Sequence, residues 1–444
     1  MEFSELLESV KQDINWKVVL KGDTKKIYRQ IRKTYFEEVS QSLCRMQVRN
    51  QLKLATPSTI SNLTTALIED SDRLFDDMLF LESRKRGIGF LNGVFDLYTG
   101  KFRKYNSNDF ICDPLPWELT LEPDPEIETW FLNILKSWVG EETGDWFLNL
   151  IAYMLFIYPN TENIWVNLFG AGSNGKSLCL ELLEHILGDR KCIGTDLQNL
   201  NRFSGDAVQG KWLVIGRDSS SIVSDKATSF IKTFSGEKKV LVEKKGGDSF
   251  DVPNQGKMIV STNSLIQSKD RTFAWYRRLF PVLFPNEFPR NRAFGKQLMS
   301  KVPEITRVIL TRAYKYNHSQ TSLFDSVPKP VETLMRETRM MNDRVSAFWE
   351  SEFFHDENGL LDLDKLRFYH EKSISEMYDI YSQWHGVEFG ETGLEPSLKT
   401  FGGPYGAFLT TDAGKWFDYK KTNKGRVLAL RWEKVDEELN KNKE

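Results

Sequence analysis

Eight consecutive residues, Gly170-Ala171-Gly172-Ser173-Asn174-Gly175-Lys176-Ser177, spell a complete G-x-x-x-x-G-K-S. The apolar segment Trp165–Phe169 before them reads as a strand, and Leu178–Leu187 after them reads as a helix. That is the context a phosphate-cradling loop requires. Glycines let backbone amides turn toward phosphates, and a helix N-terminus adds positive potential. The candidate nucleotide-binding set is therefore Gly170 to Leu178. Lys176 suits the β- and γ-phosphates of ATP, and the Ser177 hydroxyl suits Mg²⁺.

A phosphate loop alone specifies no reaction, so the following apolar segments carry the next signals. Lys211-Trp-Leu-Val-Ile-Gly-Arg-Asp218 reads as a strand ending in an acid. At the carboxyl edge of a parallel sheet, Asp218 could hold the metal shell; the plain alternative is a surface Asp closing a core strand. Lys257-Met-Ile-Val-Ser-Thr-Asn263 ends in an amide that could orient an attacking water, or could simply form a turn. Loop, acid strand and amide strand follow one another within the 94 residues from Gly170 through Asn263. Arg278 comes fifteen residues later, where an arginine entering a strand could reach a neighbouring subunit's nucleotide. An ordinary ion-paired arginine is the alternative, and the adjacent Arg277 is a second candidate for the same role.

Two basic segments read as nucleic-acid candidates. Val240 to Phe250 reads as a hairpin with Lys244, Lys245 and a glycine pair at its tip, able to approach a phosphate backbone of any sequence or merely to sit in solvent. Lys415 to Arg426 interleaves five cations with aromatics against one acid, just before the expected strand Val427–Trp432.

These residues need a frame. Strand and helix alternate from Trp165 to about Phe288, which predicts an α/β core with a mostly parallel sheet. Residues 1–86 are expected to be mostly helical, since Ile27, Ile31 and Tyr35 fall at i, i+4 and i+8. Residues 87–160 are expected to hold a small β-meander, with turns at Asn92-Gly93 and Thr99-Gly100, and then helices. This α/β core is expected over 161–290 and a helical linker over 291–334, with Val327-Pro-Lys-Pro as a break. Helices and a closing hairpin are expected over 335–444.

Composition bounds the rest. The chain has 444 residues, 40% hydrophobic and 27% charged, which excludes a disordered or fibrous protein. A net charge of −2 means that any nucleic-acid surface is local. The four cysteines form no C-x-x-C pair and the five histidines show no ligand spacing, which speaks against a disulfide scaffold, a zinc knuckle or a catalytic metal cage. The apolar run Trp146–Tyr158 is too short to span a bilayer, and no signal-peptide pattern opens the chain, so a soluble intracellular protein with no membrane partner is expected.

The ordered set resembles the superfamily 3 helicases of phage and plasmid primase–helicase proteins, which are related to the poxvirus primase–helicase. Asn92-Gly-Val-Phe-Asp-Leu-Tyr-Thr-Gly, Leu168 to Ser177, Ser235-Gly236-Glu, Lys244-Lys245 and Ser261-Thr-Asn263 match its motifs in order, covering about 87 to 290. The resemblance implies an AAA+-type P-loop NTPase core, preceded by the helical region with its meander and followed by a winged-helix-like domain. It also implies a ring, usually a hexamer, that hydrolyses ATP with Mg²⁺ between subunits and moves on single-stranded and forked DNA in a host cytoplasm. A primase or polymerase would be the partner. It makes Lys176 and Ser177 the nucleotide-loop pair, Asp218 the second-motif acid, Asn263 the sensor, Arg278 the trans-acting finger, and Lys244 and Lys245 the channel hairpin. One feature departs from the family: relatives carry two acids or a glutamate after the second strand, whereas Asp218 is followed by Ser219, Ser220 and Ser221. The general base is thus unassigned. A DNA-binding initiator that uses nucleotide only as a switch remains the alternative, with an ATPase acting on protein or packaging DNA as the third.

Overall fold

The computed structural model describes residues 2–441, apart from 22–23, 32–33, 72–73, 77, 107–108, 121, 201–203, 244–248, 269, 271–272, 320, 343, 352–353, 355–359, 390–412 and 423–424. The chain divides into two compact units, Met1–Ile266 with Arg277–Glu332, and Gln267–Tyr276 with Thr333–Glu444.

The first unit opens with the helix Phe3–Lys11 and three antiparallel strands, β1 (Trp16–Lys21), β2 (Thr24–Ile31) and β3 (Tyr35–Val39). This corrects the helical reading of the Ile27–Ile31–Tyr35 spacing. Adjacent residues Ile27 and Tyr28 are both buried, Ile27 among Trp16, Val39, Cys44 and Leu63, and Tyr28 among Val19 and Phe36. A strand covered on both faces loses its period-2 signature, so a chance 4-residue spacing dominated the sequence pattern. Helices Gln41–Gln51 and Pro57–Glu69 follow, started by Ser40 and Thr56, whose hydroxyls accept from the amides three residues on.

Strands β4 (Gly87–Phe90), β5 (Gly93–Asp96) and β6 (Phe102–Arg103) form the antiparallel meander that the turn pairs predict. The motif around it is structural. Asn92 clamps the strand to Leu119 through two hydrogen bonds of 3.0 Å, and Asp96 Oδ1 accepts from the Tyr98 and Thr99 amides at 2.9 Å. A side chain at Gly93 would strike the Arg103 carbonyl oxygen at 2.3 Å.

After the helices Pro125–Val139 and Glu141–Phe156 comes the central sheet: β7 (Trp165–Phe169), β8 (Cys192–Thr195), β9 (Leu213–Gly216), β13 (Lys257–Thr262) and β15 (Leu279–Leu283). Its order is β15-β7-β13-β9-β8 and every pairing is parallel. Strands β7, β9 and β13 are buried throughout, as a parallel sheet covered on both faces demands. Between them lie the short strand β10 (Ile222–Val223) and the antiparallel pair β11 (Lys239–Glu243) and β12 (Ser249–Pro253), the stem of the expected basic hairpin. Helix Lys176–Leu187 follows β7, and Val302–His318 packs against it and against Glu141–Phe156.

The second unit holds the short strand β14 (Gln267–Ser268), the helices Arg344–Ser351, Leu363–Tyr369, Ile374–Phe389 and Trp432–Lys441, and the hairpin β16 (Phe417–Thr422) with β17 (Gly425–Leu430). Phe348, Trp349, Tyr381, Trp416 and Phe417 fill its core. The expected break at Val327-Pro-Lys-Pro is shorter than predicted, because helix Lys329–Asn342 begins inside it. Pro330 occupies the second helical position, where a missing N–H breaks no intrahelical bond.

Candidate functional site

Parallel strands bring their carboxyl ends to one edge, and strand order decides which loops meet there. Strand β13 lies between β7 and β9, so Asn263 emerges between the Gly170–Ser177 loop and Asp218. Three residues that are far apart in sequence thus share one edge.

The loop is tied down on both sides. Phe284 N–H donates to Phe169 O at 2.8 Å, Asn174 Nδ2 donates to Phe284 O at 3.1 Å, and Phe288 N–H donates to Ser173 O at 2.8 Å. Gly170 (φ 148°) and Gly175 (φ 92°) take backbone conformations that L side chains rarely adopt. A Cβ on Gly175 would also lie 2.8 Å from Trp138 Nε1, whereas one on Gly172 would meet nothing within 4 Å. Ala171, Gly172, Ser173 and Ser177 face solvent, so the loop is walled behind and open in front.

Lys176 is buried and folds back over this loop, donating to Gly170 O at 2.7 Å, Ala171 O at 2.9 Å and Asn174 Oδ1 at 3.0 Å. Burial lowers its pKa, and the Asp218 carboxylate opposes that shift, which marks Asp218 as its electrostatic neighbour. Asp218 is exposed, with φ 44°. Its N–H donates to Ser261 Oγ at 3.0 Å and the next amide donates to Ser261 O at 2.9 Å, stitching the acid to β13. Asn263 is exposed. Beneath it Thr262 is held by Asn167, whose Nδ2 donates to Thr262 Oγ1 at 2.9 Å.

Arg278 does not join this edge. It immediately precedes β15, at the amino end of the sheet, half-buried over Gly236; a Cβ on that glycine would lie 2.7 Å from Arg278 Nη2. Burial and then Arg277 lower its pKa, while Glu237 opposes them. Lys244 and Lys245 lie outside the described residues; their stem, β11 and β12, is antiparallel as expected. In the other basic segment Lys415, Lys420 and Lys421 are exposed, and 423–424 lie outside the described residues. Among the described residues no group of three or more His, Cys, Asp or Glu could hold a metal, and no helix is long and apolar enough to cross a membrane.

Sequence reading missed the Asn167–Thr262 and Ser261–Asp218 ties and the packing of Trp138 behind Gly175. The only available signals were a polar Asn inside an apolar strand and the Ser-Thr pair before Asn263.

Parts of the chain are similar to known proteins. Residues 6–139 match the family model described as D5 N terminal like, and residues 168–278 match a family of unknown function, DUF5906. Two viral proteins that carry helicase names are similar: L207/L206 of Acanthamoeba polyphaga mimivirus (38% identical over 106 residues) and 184R of Invertebrate iridescent virus 6 (26% over 246 residues). These partial matches support a relationship to the phage and viral primase–helicase proteins. The alignments to these two relatives take in 23% and 50% of this chain but only 11% and 24% of their own lengths. The apo C-terminal region of NrS-1 shares the fold, with a TM-score of 0.51 at 11% identity over 96% of this chain and 98% of that one. The match to the family of unknown function runs from Leu168, within β7, through Arg278, and so takes in the loop, Asp218 and Asn263 together.

Proposed function

We propose that the chain is an ATP-dependent, replicative DNA helicase that serves copying of a viral, phage or plasmid genome and works as a ring on single-stranded and forked DNA. The observation that carries this reading is the convergence of Lys176, Asn263 and Asp218 at one sheet edge, set by the insertion of β13 between β7 and β9.

ATP with Mg²⁺ fits the residues present. The Gly170–Gly175 turn is walled behind and open in front, and Lys176 rests on oxygens that a phosphate would outcompete for its charge. Bound Mg²⁺ supplies neutralisation of the charge that builds on the phosphates. Lys176 then swings from the loop carbonyls to the β- and γ-phosphates, while the loop amides and the first turn of helix Lys176–Leu187 hold the remaining oxygens. Ser177 and Asp218 are the candidate metal-shell groups, both exposed toward solvent. Asn263 orients the attacking water. The single acid after β9, with buried Ser219 beside it, leaves proton removal to Asp218 through a water, and slow turnover follows.

AAA+ and superfamily 3 membership is supported by the motif order together with this strand order. Arg278, at the opposite end of the sheet, suits service to a neighbouring subunit and hence a ring, with a hexamer expected. Lys244 and Lys245 are assigned to the DNA channel, and the β16–β17 hairpin after helices supports a winged-helix-like end. The deciding experiment is ATP turnover of the parent and Lys176→Ala proteins with and without single-stranded DNA, alongside strand displacement on a fork. Stimulated turnover and unwinding that both vanish in Lys176→Ala uphold the reading. Turnover that survives in the variant overturns it, and turnover without unwinding favours the nucleotide-switched initiator.

A further inference from the structure

At the amino end of the central sheet, away from the Lys176 loop, lies a cavity of 470 Å³ between β2, the helix Met78–Arg86 and the segments that lead into β8 and β9. That volume is in the range of about 300–1,000 Å³ typical of small-ligand pockets. Five cations line it (Lys26, Arg84, Arg190, Lys191 and Lys211) against two carboxylates, Glu38 and Asp113. Both carboxylates are already engaged, Glu38 with Lys26 at 3.2 Å and Asp113 with Arg190.

Arg84 and Lys191 are different in kind. They are 4% and 7% exposed, and neither has an ion pair among the described residues. Arg84 lies over the Trp212 ring at 4.0 Å and the Tyr158 ring at 4.8 Å, and its Nη1 donates to Gln255 O at 2.8 Å. Its Nε and Nη2 are buried with no hydrogen-bond partner. Lys191 sits 4.6 Å from the centre of the Trp212 ring and donates to Cys112 O at 3.0 Å. Behind them Lys257, 2% exposed, donates to Ile157 O and lies over the Tyr153 ring. Burial pulls the Arg84 guanidinium down to about 9 and lowers both lysines. Concentrating buried positive charge that no carboxylate pairs directly is costly, even with Asp113 near Lys191, and unpaired guanidinium donors add to the cost. An anion seated among them removes both penalties.

We propose that this cavity is a second phosphate site, distinct from the Lys176 loop, which takes a phosphate ester of about mononucleotide size on Arg84 and Lys191. The neighbouring Tyr28, Phe80 and Ile111 give it an apolar wall for a sugar or base. The same chemistry is offered by a free nucleotide and by one nucleotide of a DNA strand.

The test uses this 444-residue chain carrying Lys176→Ala, so that the first loop does not contribute, titrated calorimetrically at low ionic strength with inorganic phosphate, dTMP and a twelve-residue oligo-dT. The proposal expects binding to one site per chain, weakened about tenfold or more by Arg84→Gln and by Lys191→Met, the loss of one charge-assisted contact. Lys191→Met is expected to melt at or above the parent temperature, because it removes a buried charge. Sensitivity to both variants with dTMP identifies a free nucleotide, and sensitivity with oligo-dT alone identifies a DNA strand; either upholds the phosphate site. Absence of binding by all three probes overturns it, as does binding that both variants leave unchanged. Loss of the folded state in both variants also overturns it, since the cations would then be part of the packing.

Discussion

Arg278 and Lys176 stand at opposite ends of one parallel sheet: the Arg278 carbonyl accepts from Trp165 N–H at 2.8 Å, at the foot of the strand whose far end leads into the Lys176 loop. Four residue steps along β7 separate the two levels by about 13 Å. An arginine so placed is remote from its own chain's phosphate edge, which is the placement that the proposed service to a neighbouring subunit requires.

The first prediction follows from that separation. Arg278→Ala should cut ATP turnover by about a thousandfold, the lower range for a charge-stabilising arginine, while nucleotide affinity changes little. Mixed with Lys176→Ala protein, it should regain part of the activity, because some interfaces then pair an intact loop with an intact arginine. Absence of rescue in mixtures shown to exchange subunits would make Arg278 a structural residue packed on Gly236.

Asn263 and Asn167 separate chemistry from packing. Asn263 is exposed, so Asn263→Ala should leave the melting temperature unchanged and lower turnover by about a hundredfold. Asn167 is 0% exposed and donates to Thr262 Oγ1, so Asn167→Ala should cost about 1–3 kcal/mol of stability. Denaturant titration and steady-state turnover on both variants check the pair. Parental turnover in Asn263→Ala would reduce Asn263 to a turn residue.

The thiols give a pH signature. Burial pushes Cys44 up to about 11 and Cys179 and Cys192 up to about 12, from an ordinary 9.0. Above pH 9 the unfolded thiols release protons that the folded ones keep. The folded state then binds more protons, and this contribution to stability is lost as pH rises through the folded values. It is fully present below about pH 9. Cys44→Ala should therefore flatten the decline in unfolding free energy between pH 9 and 11, by on the order of 2 kcal/mol across that window. Native protein at pH 8 should also label slowly with a thiol reagent. Fast labelling of Cys44, Cys179 or Cys192 would contradict the burial argument.

How much of this was legible in the sequence depends on whether the signal was local. The Gly170–Ser177 loop and β7 were readable because a turn, a strand and a helix start are written in contiguous residues. The apolar runs of β9 and β13 were readable because strands buried on both faces have few other spellings. Strand order was not, since nothing in Lys257–Thr262 says that it pairs with both Val166 and Val214 neighbours. The β1–β3 sheet failed for a related reason: Ile27 and Tyr28 point into different clusters, and two-sided burial imitates a helical spacing. The Arg84–Trp212–Lys191 stack was invisible, because it joins residues 128 and 107 positions apart only after folding.

The last prediction concerns DNA. In sequence, Lys244 and Lys245 follow β11 and precede β12, two strands paired from Lys239↔Pro253 to Glu243↔Ser249. Two ammonium groups followed in sequence by Gly246 and Gly247 suit phosphates of any sequence, and counterion release makes that attraction salt-dependent. With a net charge of −2, the chain has no general basic field to replace them. Lys244→Ala/Lys245→Ala should therefore flatten the slope of log affinity against log salt for single-stranded DNA by about 1.4, from roughly 0.7 per contact. Unwinding should fall while DNA-independent ATP turnover persists, because the hairpin stem and the Lys176 loop are separate elements of the fold. Affinity measured at several salt concentrations, with a fork-unwinding assay on the same preparation, checks both parts. An unchanged slope with parental unwinding would move the DNA contact off this hairpin, and the exposed Lys415, Lys420 and Lys421 would be the next residues to replace.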